Sequence, residues 1–457
     1  RDSPLPAQVA SALRSAISEG SLRPGDEVPS TRVLAAQAGV SRGTVVAAYD
    51  QLISEGYLTA TQGAPTRVNP SLSTVAATQA APAVSGERPA QSASRRTPMI
   101  SLKPSSGHAG AIRPAAWRQA WREAAADPAV ATEHTGQDAL REAIADHVRT
   151  GRGMTVGKDD VVVTGGTREG LLLVLMALGQ GGALRVGVED PGHPGLRNVI
   201  PLAGHTVIPC AVDELGVAVR ELPGDLDALI VTPSFQYPLG ASMPAARRTE
   251  LLEWAAATDT VVIEDDFNAE LRYRTAPLPP LAALQADACV VTLGTFSTLL
   301  NRSVAAGYAV TSSRFTDELR RTRTTLGMPV SVVTQLAIAH LLRNGHVRRN
   351  TKAVHNRLAR RRRAIGERII PQLTQIGATV TEMAESNGVD LAVTFPGTRA
   401  RDAFAADLLS EGVESGRLDS LWSGRDDGLI LSFAHLSEPD FERVCDVLGR
   451  IARRQSN

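Results

Sequence analysis

A segment near the N-terminus divides the chain into two parts that must fold separately. Residues 70–98, PSLSTVAATQAAPAVSGERPAQSASRRTP, are rich in alanine, serine and proline and contain few large apolar side chains. Such a composition supplies no hydrophobic core and is typical of a linker. By the scaling that holds for flexible coils, it would span roughly 30 Å on average. We therefore predict a small domain over residues 1–69, tethered to a much larger part.

The part that follows the linker is too long for one ordinary core. The chain has 457 residues, of which 43% are hydrophobic and 21% charged, as in soluble globular proteins. Short apolar runs alternate with helical patterns after the linker, which predicts a mostly parallel sheet covered by helices. We predict a large α/β domain at residues 99–371 and a smaller C-terminal α/β lobe at residues 372–457. The strand-like runs of the large domain are 161–164, 185–188, 229–232, 261–264, 289–293 and 306–311.

Charge and cysteine content exclude several classes of function. No run of apolar residues reaches the length of a membrane span, and the first residues contain no apolar signal core. Cys210, Cys289 and Cys445 lie far apart without metal-ligand spacing, so we predict free thiols in a reducing cytoplasm and no metal site. The formal net charge is +0, so a case for a nucleic-acid partner depends on where particular arginines lie.

The small domain carries the pattern of a helix-turn-helix. Ser30 and Gly39 have the types that begin and end a helix, and Ser41 can cap the next one. A tight turn between two helices is required so that the second helix can insert its N-terminal residues into the major groove. Two short strands are predicted at 57–61 and 66–68, which would form a wing. An ordinary three-helix unit with an exposed arginine is the alternative.

Residues 20–68 closely resemble the winged helix of GntR-type regulators. The matching strings LRPGDEVPSTRVLA, VSRGTV and AYDQLISEGYL and the wing glycine occur in the family's order. The resemblance implies double-stranded operator DNA as the partner. It implies DNA contacts from the second helix, the recognition helix and the wing, namely Arg32, Ser41, Arg42, Thr44 and Gly63, with Arg23 and Arg67 as weaker candidates.

A second resemblance covers roughly residues 100–455. Together with the first, it points to the MocR/GabR-like regulators, in which a GntR-type winged helix is fused to a fold type I aminotransferase domain. It implies that fold for the large domain and the lobe, and a cytoplasmic bacterial homodimer. The matching segments include TGQDALREAIADHVRTGRGM (135–154), VVVTGGTREGL (161–171), VEDPGHPGLRNV (188–199), VVIEDDFNAELRYR (261–274) and LGTFSTLLNRSVAAGYAV (293–310).

The positions that would carry pyridoxal phosphate chemistry have changed. A Schiff base needs a lysine amine, but Thr298 stands where the family has lysine, directly after Ser297. The arginine that clamps the phosphate is replaced by Ala305. The chain has only three lysines, at positions 103, 158 and 352, all outside the matching segment. Three further family residues, a tyrosine, a histidine and a substrate-binding arginine, are replaced by Phe267, Phe235 and Ile430.

Some features of the family's site persist. Asp265 matches the partner of the ring nitrogen, and Gly166 and Thr167 match part of the phosphate cup. We predict no catalytic residues and no covalent pyridoxal phosphate, but an effector pocket whose ligand is less anionic than that cofactor, because a buried anion without counter-charge is costly. The pocket residues are predicted to be Gly166, Thr167, His193, Phe235, Asp265, Phe267, Ser297, Thr298 and Ile430.

Three alternatives remain open at this point. The large domain could be a working pyridoxal phosphate enzyme or a regulator that responds to this cofactor. It could also be a scaffold that dimerises and binds nothing. The basic stretch 348–368 has helical spacing, and a solvated helix face is favoured over a second DNA site there.

Overall fold

The computed structural model divides the chain into two compact units, Arg1–Arg96 and Thr97–Asn457. Most of the predicted linker lies outside the described residues. Those residues are 4–61, 64–72, 99–104, 112–127, 129–267, 269–271, 278–285, 289–300, 302–311, 315–381, 390–423 and 427–455.

The N-terminal unit is a three-helix domain with a two-stranded wing. Its elements are α1 (Leu5–Ser18), α2 (Thr31–Ala38), α3 (Arg42–Ser54), β1 (Leu58–Thr59) and β2 (Arg67–Val68). The two strands are antiparallel, with Leu58 opposite Val68. Its own hydrophobic core is formed by one face of each helix and by both strands, including Ala10, Leu13, Ile17, Ala35, Val45, Ala48, Leu52, Leu58 and Val68. Wing residue Gly63 lies outside the described residues.

The predicted caps define the helix-turn-helix. The Ser30 side chain accepts a hydrogen bond from the amide of Val33 at the start of α2. Gly39 ends that helix with φ 65°, a left-handed conformation that glycine adopts at low cost. The Ser41 side chain then accepts from the amide of Thr44, 3.1 Å away, and begins α3. The turn between the two helices is therefore specified by local side-chain chemistry.

The C-terminal unit contains an eight-stranded sheet, referred to below as the central sheet. The strands before it and within it are β3 (Ile100–Leu102), β4 (Val161–Thr164), β5 (Arg185–Asp190), β6 (Thr206–Asp213), β7 (Gly216–Val217), β8 (Ala228–Val231), β9 (Val261–Asp265), β10 (Val290–Thr295) and β11 (Gly307–Val310). The order is β4-β11-β10-β9-β8-β5-β6-β7. Strands β10, β9, β8, β5 and β6 are mutually parallel, whereas β11 is antiparallel to both neighbours and β7 to β6. This architecture is the mostly parallel sheet that the sequence predicts.

Helices cover both faces of the central sheet. Leu229 and Val231 of β8 pack with α9 on one face, whereas Ala228 and Ile230 pack with α6 on the other. The helices of this unit are α4 (Pro114–Ala124), α5 (Asp138–Arg152), α6 (Thr167–Leu178), α7 (Pro194–Arg197), α8 (Val199–Leu202), α9 (Ala245–Thr258), α10 (Leu281–Leu284), α11 (Thr316–Leu326), α12 (Val332–Arg343), α13 (His346–Arg368), α14 (Ile370–Gln375), α15 (Thr398–Ser410) and α16 (Glu438–Gln455). Within the described part of the chain, no helix is long and apolar enough to cross a membrane.

A second sheet of five strands corrects one predicted boundary. Its further strands are β12 (Thr379–Val380), β13 (Asp390–Thr394), β14 (Val413–Arg417) and β15 (Gly428–Ser432), in the order β12-β13-β15-β14-β3. Strand β3 pairs in parallel with β14, with Ile100 opposite Val413. Residues 100–102 therefore belong to the C-terminal lobe, although the sequence analysis assigned them to the large domain. Their apolar pattern predicts burial but does not specify the sheet they join.

Candidate DNA-binding surface and candidate effector site

The N-terminal residues of α3 form the candidate DNA-binding surface. Arg42 is exposed, and no ion-pair partner for it occurs among the described residues. The hydroxyl groups of Ser41 and Thr44 are hydrogen-bonded to each other at 2.8 Å. The Tyr49 hydroxyl donates to the carbonyl of Pro29 at 2.6 Å and so fixes α3 against the segment that precedes α2. A guanidinium group at this end of a helix can reach a base edge or a phosphate.

The other predicted DNA contacts differ in their surroundings. Arg32 on α2 and Arg23 are exposed, as Arg42 is. Arg67 instead donates to the carbonyl of Gly25 at 3.0 Å and forms an ion pair with Glu27. These contacts tie the wing strand β2 to the preceding segment, so Arg67 already has protein partners. Its contact with DNA stays a prediction.

The candidate effector site lies where three neighbouring parallel strands end. His193 follows β5, Phe235 and Tyr237 follow β8, and Phe267 follows β9. Crevices beyond the carboxyl ends of parallel strands are the usual ligand sites of such sheets. The Phe267 ring is 6.1 Å from the rings of Phe235 and Tyr237 and 6.4 Å from that of His193, at interplanar angles of 79°, 80° and 72°. Ile430 on β15 lies in one apolar cluster with Phe235 and Tyr237, and Phe267 packs against that cluster.

Two buried carboxyl groups accompany these rings. Asp265, the last residue of β9, is 3% exposed, and its Oδ1 has no hydrogen-bond partner among the described residues. Burial, and next the charges of Asp266 and Glu189, hold the pKa of Asp265 well above its usual range. Glu189 on β5 accepts hydrogen bonds from the amide of Thr232, at 3.1 Å, and from its hydroxyl. Burial raises the pKa of Glu189 to about 7 in spite of these bonds.

Glu189 predicts a pH dependence of stability. The folded chain keeps its proton up to about pH 7, whereas the unfolded chain loses it near pH 4.5. Its contribution to the free energy of unfolding therefore falls by about 3 kcal/mol as the pH rises through this window. Glu189→Gln should remove this pH dependence. The free energy of unfolding of the variant, relative to that of the parent, should therefore be about 2–3 kcal/mol higher at pH 8 than at pH 5. Urea unfolding at both pH values measures it, with exposed Glu253→Gln as the control. An equal difference from the parent at both pH values would contradict this account.

Thr298 lies beside Phe267. Its hydroxyl donates to the carbonyl of Phe267 at 2.8 Å. Two of the three lysines are engaged elsewhere: Lys158 pairs with Asp138 at 2.6 Å and Lys103 with Glu414 at 2.5 Å. The third, at position 352, is exposed on α13. The described residues therefore bring no amine to the place that Thr298 occupies.

The start of α6 supplies the part of the site that resembles a phosphate cup. Gly166 precedes the helix with φ 106°, and Thr167 is its first residue. Arg168 follows and is exposed. Its guanidinium packs so closely on Gly195 that a Cβ added to this glycine would lie 2.3 Å from the guanidinium. This cation was not among the predicted site residues, nor were Glu189 and Tyr237. Arg168 and Glu189 lie within strings that carry the resemblance, so their signal was present in the sequence.

The residues present fit pyridoxal phosphate only in part. Asp265 offers a buried carboxyl group to a ring nitrogen, and α6 offers a helix N-terminus to an anion. Covalent attachment requires an amine, and a hydroxyl group cannot replace it. Ala305, the residue at the position of the phosphate-binding arginine, offers no charge. The site therefore does not fit the covalently bound cofactor.

Comparisons with known proteins agree with the fold and with the division of the chain. Residues 5–68 match the bacterial regulatory proteins of the gntR family, and residues 105–448 match aminotransferase class I and II. Two archaeal aminotransferases share the fold. An alanine:glyoxylate aminotransferase has a TM-score of 0.70 at 18% identity, covering 79% of this chain and 92% of its own. The kynurenine aminotransferase of Pyrococcus horikoshii has a TM-score of 0.67 at 20% identity, covering 78% and 92%.

Two relatives that match over three quarters or more of both chains define the class. The HTH-type pyridoxine biosynthesis transcriptional regulator PdxR of Corynebacterium glutamicum is 40% identical over 95% of this chain and 93% of its own. The probable rhizopine catabolism regulatory protein MocR of Rhizobium meliloti is 31% identical, covering 80% and 76%. The protein is thus of the class in which a GntR-type winged helix is fused to an aminotransferase-like domain. The chain belongs to the MocR-like subfamily of GntR transcription regulators.

Proposed function

We propose that this regulator binds operator DNA as a homodimer and that its aminotransferase-like domain senses an effector without covalent pyridoxal phosphate. The proposal rests on Thr298, which the family resemblance places at the position of the imine-forming amine and whose hydroxyl donates to the carbonyl of Phe267. Lys103 and Lys158 have ion-pair partners, and Lys352 is exposed on α13. None of these lysines supports the idea that another amine replaces the missing one. The domain is then free for dimerisation and ligand binding.

DNA binding is assigned to the helix-turn-helix. Arg42, Ser41 and Thr44 would contact the major groove or its phosphates, Arg32 would contact the backbone, and Gly63 and Arg67 would act in the wing. A dimer presents two such domains to two half-sites, which doubles the contacts and relates the half-site spacing to the reach of the linker. The exposure of Arg42 and the hydroxyl groups at the start of α3 support this assignment.

The effector is assigned to the site around Asp265 and Phe267. Aromatic rings suit a flat, largely apolar ligand, and the buried Oδ1 of Asp265, which has no partner among the described residues, is best satisfied by an N–H donor. The ligand is thus less anionic than pyridoxal phosphate. It changes DNA affinity only if it binds one arrangement of the protein more tightly than another. The name of the Corynebacterium glutamicum relative makes unphosphorylated pyridine derivatives such as pyridoxine the first compounds to test.

Incubation with pyridoxal phosphate should leave the protein without a covalent adduct. After borohydride reduction, intact mass spectrometry should show the mass of the unmodified chain, because an imine requires an amine at the site. Thr298→Lys is the matched variant: it restores an amine at that position and tests whether the assay can detect an adduct. An adduct on the unsubstituted chain, located by peptide mapping near Asp265, would instead support the working enzyme.

Ligand-binding measurements distinguish a large domain that senses an effector from one that only dimerises. Thermal-shift measurements with pyridoxine, pyridoxal and pyridoxal phosphate should identify a compound that stabilises the folded chain, because a ligand that binds the native state raises its stability. Asp265→Asn keeps the shape of the site but removes its acid. Stabilisation of the parent and not of this variant supports the sensor, whereas no stabilisation by any compound favours the scaffold.

A further inference from the structure

We propose that helix α13 carries a second DNA-contact surface, which binds the phosphate backbone of the duplex. The surface consists of exposed basic residues on one side of the helix and is called the basic stripe below. Its members are Arg348, Arg349, Lys352, Arg360 and Arg363. The inference assumes the DNA-binding function of the winged helix and assigns an additional role to the other unit.

The stripe is one face of an amphipathic helix. The opposite face of α13 is buried in the core through Val347, Val354, Leu358 and Ile365. With a rise of 1.5 Å per residue, the stripe extends about 22 Å from its first to its last member. Over that length a DNA strand presents roughly six phosphates. The helix is therefore held rigidly by its apolar face while its basic face remains available.

Among the described residues, the members of the stripe have no acidic partners. No ion pair joins any of them to a carboxylate within the part of the chain that the structure describes. Arg349 alone has hydrogen bonds, to the carbonyl of Asn344 and the ring of His346. Many other surface arginines of this unit are paired, such as Arg247 with Asp213 at 3.0 Å and Arg368 with Glu442 at 2.9 Å. Unpaired positive charge is thus concentrated on this face.

The charge of α13 contrasts with that of the chain. The chain has a formal net charge of +0, whereas the sequence of α13, HVRRNTKAVHNRLARRRRAIGER, contains eight arginines, one lysine and a single glutamate. Mutual repulsion in such a segment is relieved by a polyanion. Arginine and lysine that neutralise phosphates release counterions, which favours association. Double-stranded DNA has the charge density and the length that the stripe requires.

DNA is favoured over other polyanions because the same chain carries a GntR-type winged helix. The covalent connection raises the effective concentration of bound DNA at the second unit. The residues between 69 and 99 could extend to at most about 100 Å, which limits the reach but allows flanking DNA to be contacted. The stripe would add affinity without adding base recognition.

Neutralising the stripe tests the proposal. The probe is a duplex of about 40 base pairs, close to four helical turns, selected from a random library by the intact chain. The stripe variant should bind it at least about tenfold more weakly at 0.15 M salt, and the slope of log K against log salt should become shallower by about 2–4, because each phosphate contact contributes about 0.9. The variant combines Arg348→Gln, Lys352→Gln, Arg360→Gln and Arg363→Gln.

A matched control separates local contact from net charge. The control also removes four positive charges, but from exposed arginines outside the stripe that have no ion pairs among the described residues. It combines Arg118→Gln, Arg122→Gln, Arg399→Gln and Arg453→Gln. For the control variant, both the affinity for the duplex and the slope of log K against log salt should stay within about twofold of the values for the intact chain. Equal weakening by both variants, or no change in the slope of the stripe variant, overturns the proposal. A chain that selects no duplex at all would instead contradict the function of the winged helix.

Two further measurements keep the result decisive. If circular dichroism shows that the fourfold variant does not fold, the double variant Arg348→Gln and Lys352→Gln should still reduce the slope of log K against log salt by about 1–2.

Vesicles containing phosphatidylserine should not be bound by the intact chain at 0.15 M salt. Tight vesicle binding that the stripe variant loses, with DNA binding unchanged, would assign the stripe to a membrane and reject the proposal.

Discussion

Arg42→Ala should weaken binding of a selected duplex by about tenfold or more in moderate salt, the largest single effect expected on DNA affinity. Arg42 is exposed in the first turn of α3, and no ion-pair partner for it was found in the described ranges. The substitution would therefore remove the proposed contact with DNA without breaking an ion pair among the described residues. Fluorescence anisotropy with the selected duplex measures the effect.

Arg14→Ala is the matched control for this experiment. It removes one positive charge from the same unit, but the guanidinium of Arg14 is held at 3.0 Å by Glu55, which directly follows the last residue of α3. We expect a change of less than about twofold in DNA affinity, because the pair is exposed and contributes little to stability. If Arg42→Ala binds as tightly as Arg14→Ala does, α3 is not the recognition helix.

Arg152→Ala should cost the C-terminal unit about 3–5 kcal/mol of stability, the largest effect expected on folding. The Arg152 guanidinium makes two bonds of 2.9 Å to the Asp266 carboxylate and further bonds to Ser234 and to the carbonyl of Leu278. The side chains of the pair are only 1% and 7% exposed. Removal of the arginine leaves a buried acid uncompensated. All four tryptophans, at 117, 121, 254 and 422, belong to this unit, so their fluorescence during urea unfolding reports its stability.

The control for Arg152 lies on the same helix. Arg149 forms an exposed pair with Asp146, so Arg149→Ala should cost less than about 1 kcal/mol. Combining Arg152→Met with Asp266→Asn should recover most of the loss, because the buried charge is then absent as well. A loss for Arg152→Ala no larger than that for Arg149→Ala would show that the buried pair does not stabilise the unit.

The helix-turn-helix was predictable because its signals are local. Ser30, Gly39 and Ser41 act on backbone groups within three or four residues of themselves, so their roles follow from the sequence. The central strands were predictable for a similar reason, since continuous apolar runs suit a sheet that is buried on both faces. Strand β3 was misassigned because its pairing with β14 joins residues about three hundred positions apart.

The candidate effector site was predictable only as far as the resemblance to a known family extended. His193, Phe235, Phe267 and Thr298 lie close together, as that resemblance implied. The pairing of Arg152 with Asp266 had no sequence signal, because 114 positions separate the two. That Asp265 lacks a partner on Oδ1 could likewise be learned only from the neighbours that the fold places around it.

The sequence by itself determined the chemistry that individual side chains can perform: a threonine at position 298 cannot supply an amine in any fold, and Ser30, Gly39 and Ser41 cap the helices that they flank. Tertiary structure decided which charges meet. It joined Arg152 to Asp266, buried Asp265 and left the basic stripe of α13 without acidic partners among the described residues. The physical reason is that electrostatic and hydrogen-bond energies depend on distance and burial, which chain folding sets between residues remote in sequence.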